Sequence, residues 1–125
     1  MNDYRKLKIW QKSVDLAVMV YQVTQSFPKS ELFGLTVQSR RSAVSIASNI
    51  AEGAGRNSKK EFGNFLAIAN GSTCELVTQL EIANRVNLLT DPDFADLKGQ
   101  ITEIQKMNRS LKKFLTQEQQ GPTKD

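Results

Sequence analysis

Few residues in this chain can carry chemistry. Histidine is absent and cysteine occurs once, at Cys74. Zinc sites, Cys–His dyads and Ser–His–Asp triads therefore lack the side chains they need. Acid–base work would fall to Glu52, Glu75 and Glu81, whose spacing converges on no shared site. A Ser/Lys pairing is left open by the residue types alone. No catalytic residue, metal ligand or cofactor is expected.

The segment SIASNIAEGAGR, residues 45–56, raises a different chemistry. Glycines beside an arginine can cradle a phosphate, or they can end a helix. GAGRNSKK lacks the G-x-x-x-x-G-K-[ST] spacing of a P-loop, and no strand precedes it, as a dinucleotide fingerprint requires. Gly53 and Gly55 are expected to end a helix by admitting positive φ at its C-cap. Arg56, Lys59 and Lys60 then stand beside the start of the next helix, where an anion can bind.

Further basic residues gather near the C-terminus. On a helical wheel Lys98, Lys106, Arg109 and Lys113 share a sector of roughly 80°, opposite Leu97, Ile101, Ile104 and Leu111. Two readings of this sector stay open, an anion-binding ridge and a solvated charged face. Arg5, Lys6, Lys8 and Lys12 add charge at the N-terminus. The residues expected to contact phosphate are Arg41, Arg56, Lys59, Lys60, Lys106, Arg109 and Lys113.

The elements that must position these residues are helical. Proline occurs only at 28, 92 and 122, and long stretches carry no breaker. Helix 1 is expected from about Lys8 to Thr24, stopping before Phe27-Pro28. Helix 2 runs from about Leu35 to Ala54, after a turn near 30–33. Helix 3 opens with the capping box Ser58-Lys59-Lys60-Glu61 and reaches about Leu88. Helix 4 starts at Asp91-Pro92, with Asp91 as N-cap, and reaches about Thr116. These spacings predict an all-α, antiparallel up-and-down four-helix bundle over residues 1–118, with a flexible tail at 119–125.

Two of the helices are apolar over too wide an arc for an isolated bundle. Trp10, Val14, Ala17, Val18, Val20, Tyr21 and Val23 help spread the apolar face of helix 1 over roughly 220°. Helix 3 is similarly broad, with Phe65, Ile68, Ile82 and Val86 included. A bundle helix needs a stripe only somewhat over about 100° wide. Self-association would cover the excess; the plainer reading makes these simply the central helices.

Helix 2 carries a polar stripe of Gln38, Arg41, Ser42, Ser45, Ser48, Asn49, Glu52 and Arg56. Its other side is Val44, Ile46, Ala47, Ile50, Ala51 and Ala54. Arg40 falls within that apolar arc. A buried guanidinium needs a partner, and Glu75, at the edge of the helix 3 apolar face, is the expected one.

The remaining composition is ordinary. The chain has 125 residues, 24% charged and 39% hydrophobic, with a net charge of +4 and a pI of about 9.3. One domain, a mild bias toward anionic partners and a cytoplasmic location without membrane association are expected. A lone cysteine fits a reducing compartment.

Several segments together carry a resemblance. They are IWQKSVDLAVMVYQVTQSFPKSELFGLTVQSRRSAVSIASNIAEGAGR and EFGNFLAIANGSTCELVTQLEIA. The chain resembles the bacterial four helix bundle protein family, also called 23S ribosomal RNA intervening-sequence proteins, over roughly residues 5–118. Ala47 departs from the pattern, where the family often has proline. The resemblance implies a bundle assembled as a pentameric ring. It also implies kinship with the accessory variability determinant of diversity-generating retroelements, a basic protein that works with a reverse transcriptase and nucleic acid. The expected function is non-enzymatic: a homo-oligomer, as a homopentamer, binding RNA or DNA through repeated basic patches. The alternative is a protein-interaction scaffold whose basic faces meet an acidic protein.

Overall fold

The computed structural model describes residues 3–120. Four helices dominate: α1 (Lys8–Thr24), α2 (Val37–Ala54), α3 (Lys59–Arg85) and α4 (Asp91–Gln120). Each packs antiparallel on the next and α4 returns against α1, so the four close into a bundle. No strand occurs among the described residues. No helix among them is long and apolar enough to cross a membrane. α4 extends past the expected end near Thr116, and the last part of the expected tail, 121–125, lies outside the described residues.

The interior is mainly aliphatic, joined by the rings of Phe62 and Phe27. Leu16 and Val20 from α1, Ile46 and Ile50 from α2, Phe62, Leu66, Leu76 and Leu80 from α3, and Leu97, Ile101 and Ile104 from α4 are all buried. Burying one such side chain contributes about 1.5–3 kcal/mol. Asn108 is buried with them, and its amide donates to the Leu66 carbonyl at 2.9 Å, tying α4 to α3. Gln105 does the same to Thr73 Oγ1 at 3.0 Å.

The FPKSELFGL segment between α1 and α2 is a built hinge. Pro28 is extended (φ −66°, ψ 154°) and ends the approach from α1. One 3-10 turn, Lys29–Glu31, and one π turn, Leu32–Thr36, follow. The Glu31 carboxylate accepts from the Leu35 N–H at 3.1 Å, capping the entry to α2. Gly34 is the residue that leaves room for it, since a Cβ there would stand 2.8 Å from Glu31 Oε1.

The structure corrects four local expectations. The glycines at the end of α2 do not use positive φ; Gly55 sits at φ −84°. Gly53 is inside the helix and serves close packing: a Cβ there would lie 2.7 Å from Phe65 Cβ and 3.0 Å from Phe62 Cδ1. α3 stops at Arg85, not near Leu88, because Asn87 adopts φ 66°. Leu88 N–H then donates to the Ala83 carbonyl at 2.8 Å and Asn87 N–H to Asn84 at 3.0 Å, the paired bonds of a Schellman ending. α4 is capped by Thr90, whose Oγ1 accepts from the Asp93 N–H at 3.3 Å. Asp91 instead accepts from Asn84 Nδ2 at 2.7 Å, bracing the α3–α4 turn. Finally, the buried face of α2 is Ser39, Ser42, Ala43, Ile46, Ile50, Gly53 and Ala54, while Val44 is exposed. Small hydroxyl residues thus belong to the core face.

Candidate functional site

Antiparallel packing sorts the charges by height. The start of α1, the end of α2, the start of α3 and the end of α4 all meet at one end of the bundle. Leu7 and Lys8 share a cleft with Lys106 and Leu111, and Ala67 and Asn70 share another with Arg109 and Lys112. Among residues 3–117, eleven Lys/Arg fall in this half, against Asp3, Glu52, Glu61 and Glu103. The other half carries five, Lys29, Arg40, Arg41, Arg85 and Lys98, against six carboxylates, with Asp15 near the middle. The mild net charge of the chain therefore hides a strongly basic end.

Six of the seven expected phosphate contacts lie in this end: Arg56, Lys59, Lys60, Lys106, Arg109 and Lys113, all exposed. They occupy two regions, the α2–α3 turn with the first residues of α3, and the second half of α4. Arg41 does not join them; it sits on the first turns of α2, in the opposite half. Lys112 belongs to the group although the wheel placed it outside the basic sector, because it turns toward α3 and lines the cleft of about 230 Å³ with Arg109. Helix-wheel angles alone could not show that the groove between two helices gathers both residues.

Not all of this charge is available. Arg56 pairs with Glu52 at 2.9 Å and lies over the Phe65 ring. Lys12 pairs with Glu103 at 3.3 Å. Arg5 pairs with Asp3 at 3.1 Å, and their hydrogen bonds lower the Asp3 pKa and raise that of Arg5. No ion pair among the described residues engages Lys60, Lys106, Arg109, Lys112 or Lys113. Ser58 Oγ accepts from the Glu61 N–H at 3.1 Å, so the α3 N-terminus is capped from within the chain.

Arg40 is half-buried, as its position in the apolar arc required, but its partner is not Glu75. Its Nε donates to Thr24 Oγ1 at 2.9 Å, a terminal nitrogen reaches the Tyr21 carbonyl at 3.4 Å, and the guanidinium lies 4.5 Å from the Tyr21 ring centroid. The α1 side of α2 was nearer than the α3 side, and a hydroxyl with an aromatic face satisfied the charge. Glu75 is exposed and makes no ion pair among the described residues.

Two apolar faces remain uncovered. The first is the outer groove between α1 and α2. It holds a cleft of about 530 Å³ along Trp10, Val14, Val18, Ala47 and Ala51. It continues into one of about 650 Å³ among Tyr21, Leu32, Phe33, Val37 and Val44. Phe33 is 88% exposed. The second is the outer face of α3, where Ile68, Ile82 and Val86 are each about half exposed. Among the described residues no cluster of three His, Cys, Asp or Glu could hold a metal ion.

Comparison with known proteins places this architecture. Residues 5–110 match the family described as 23S rRNA-intervening sequence protein. A solved structure from Bacteroides thetaiotaomicron VPI-5482, a protein of unknown function in the S23 ribosomal protein family, is similar with a TM-score of 0.76 at 29% identity. The similarity covers 84% of this chain and 98% of that one. No curated protein matches the chain.

Proposed function

This chain belongs to the 23S rRNA-intervening sequence protein family, and from that premise we propose that it is a non-enzymatic, ring-forming bundle that binds RNA or DNA through its basic end. The observation that carries the reading is the sorting of eleven Lys/Arg residues against four carboxylates, among residues 3–117, into one half of the bundle. Lysine and arginine clustered at one end provide the electrostatic footprint of phosphate binding. Contacts of this kind position a nucleic acid without reading its bases, so weak sequence preference is expected.

The uncovered apolar faces support the assembly. They differ from one another, so pairing them is head-to-tail, and head-to-tail contacts close into rings when the rotation allows. They lie on adjacent sides of the bundle, about a right angle apart in a four-helix square. A closed ring built on faces at that angle holds about four or five copies. In it α2 faces the axis and α4 faces outward. The basic ends then form one continuous rim, which multiplies the local field.

The test is a titration of short RNA, short DNA and a non-nucleic polyanion against the protein from about 50 to 200 mM salt. Binding that weakens steeply with salt is expected for RNA and DNA. No detectable binding near 50 mM overturns the reading, because counterion release is then strongest. Capture of an acidic protein without nucleic-acid binding would favour a scaffold. Light scattering at micromolar concentration should give a multiple of 14.0 kDa; the mass of one chain would overturn the ring.

A further inference from the structure

We propose that Glu75 on the α3 face of one copy pairs with Arg41 on the α1–α2 face of the next, fixing the register of the ring. This rests on the ring reading above and names the polar contact that would set it. Arg41 and Glu75 are both exposed, each stands beside an uncovered apolar face, and neither has an ion-pair partner among the described residues. Arg41 lines the groove with Phe33, Val37 and Val44. Glu75 lies on the α3 stripe between Ile68 and Ile82, one heptad from each.

Their heights match. Ser72 Oγ donates to Ser45 Oγ at 2.9 Å, which fixes the level of α3 against α2. Arg41 is one turn before Ser45 and Glu75 about one turn after Ser72, so antiparallel packing puts both at one level. Copies in a closed ring about an axis along the bundle are not displaced in height. Arg41 of one copy thus meets the level of Glu75 of its neighbour. The same alignment sets Ile82 and Val86 opposite the Leu32–Phe33–Val37 cleft, and Ile68 opposite the cleft along Val18 and Ala47. An acidic residue flanked by apolar ones on one face answers a basic residue flanked by apolar ones on the other.

The test uses full-length chains: Arg41→Glu, Glu75→Arg, the double variant, and an equimolar mixture of the two single variants. Sedimentation across protein concentration reads assembly, and circular dichroism reads folding. Each single reversal should raise the concentration at half-assembly about tenfold or more without loss of helix, since like charges then oppose across the contact. The double variant should assemble like the wild type. The mixture should recover most of the assembly, because its charges can match only between unlike copies, which alternate fully in a ring of four and satisfy four of the five contacts in a ring of five. Single reversals that assemble as the wild type does overturn the pair while leaving the ring standing. So do reversals whose loss neither the double variant nor the mixture repairs. A wild-type protein that sediments as one chain overturns the ring and the pair together.

Discussion

Gly53 shows how a residue can be marked in the sequence for one reason and used for another. Next to Gly55 it reads as a helix terminator, yet it lies within α2 and lets α3 come close at Phe62 and Phe65. A Cβ at 2.7 Å from another Cβ is a backbone-borne clash, so relief requires moving a helix. Overpacking costs about 1–3 kcal/mol, against the roughly 1 kcal/mol that alanine gains over glycine in a helix. Gly53→Ala should therefore lower the midpoint of urea unfolding, with a net loss of up to about 2 kcal/mol. Gly63→Ala is the contrast, since nothing lies within 4 Å of a Cβ there, and it should raise the midpoint. Equal midpoints for the two would remove the packing role. Arg40 teaches the same lesson: its need for a partner was legible, but the wheel gives direction and not reach. Thr24 and Tyr21, distant in sequence, supplied the contacts.

At the scale of elements, the sequence marks are those with strong local physics. Pro28 ends the approach to the hinge and Ser58 caps α3, each as the residue type dictates. The misreadings fall where local signals are weak. Serine counts as polar on any hydropathy scale, so Ser42 was assigned to the polar stripe although it is buried. Asn87 carries the left-handed turn that glycine more often supplies, so α3 seemed longer than it is. The hinge was legible only as a spacing, and its bonds explain that spacing: Glu31 caps Leu35, and Gly34 makes space for the carboxylate. Glu31→Ala should cost about 0.5–2 kcal/mol, the usual worth of a helix cap. Thermal unfolding with unchanged helix content at low temperature is the check; an unaltered melting point would show the carboxylate to be idle.

For the whole molecule, the decisive property is where the charge sits. Composition gives a net charge of +4, and only the antiparallel order of the helices turns it into a basic half and a slightly acidic one. Four helices and their broad apolar faces could be read from periodicity, but that sorting needed the heights at which α1, α3 and α4 align. The basic end makes a quantitative forecast. Arg109 and Lys113 are exposed there and engaged by no ion pair among the described residues. Arg109→Ala with Lys113→Ala should reduce the slope of log affinity against log salt by about 2 for duplex DNA, near one unit for each phosphate left without its cation. Lys98→Ala, on α4 in the opposite half, should leave that slope within error.

The uneven halves also give the bundle a direction. Cyclic copies all point the same way, so in a ring the individual charge separations add instead of cancelling. Such an assembly would have two unlike mouths. An anionic surface or strand would dock at one of them and be repelled by the other, and two rings would attract stacked in file and repel face to face. Orientation, not affinity alone, would then be encoded in the order in which four helices run up and down.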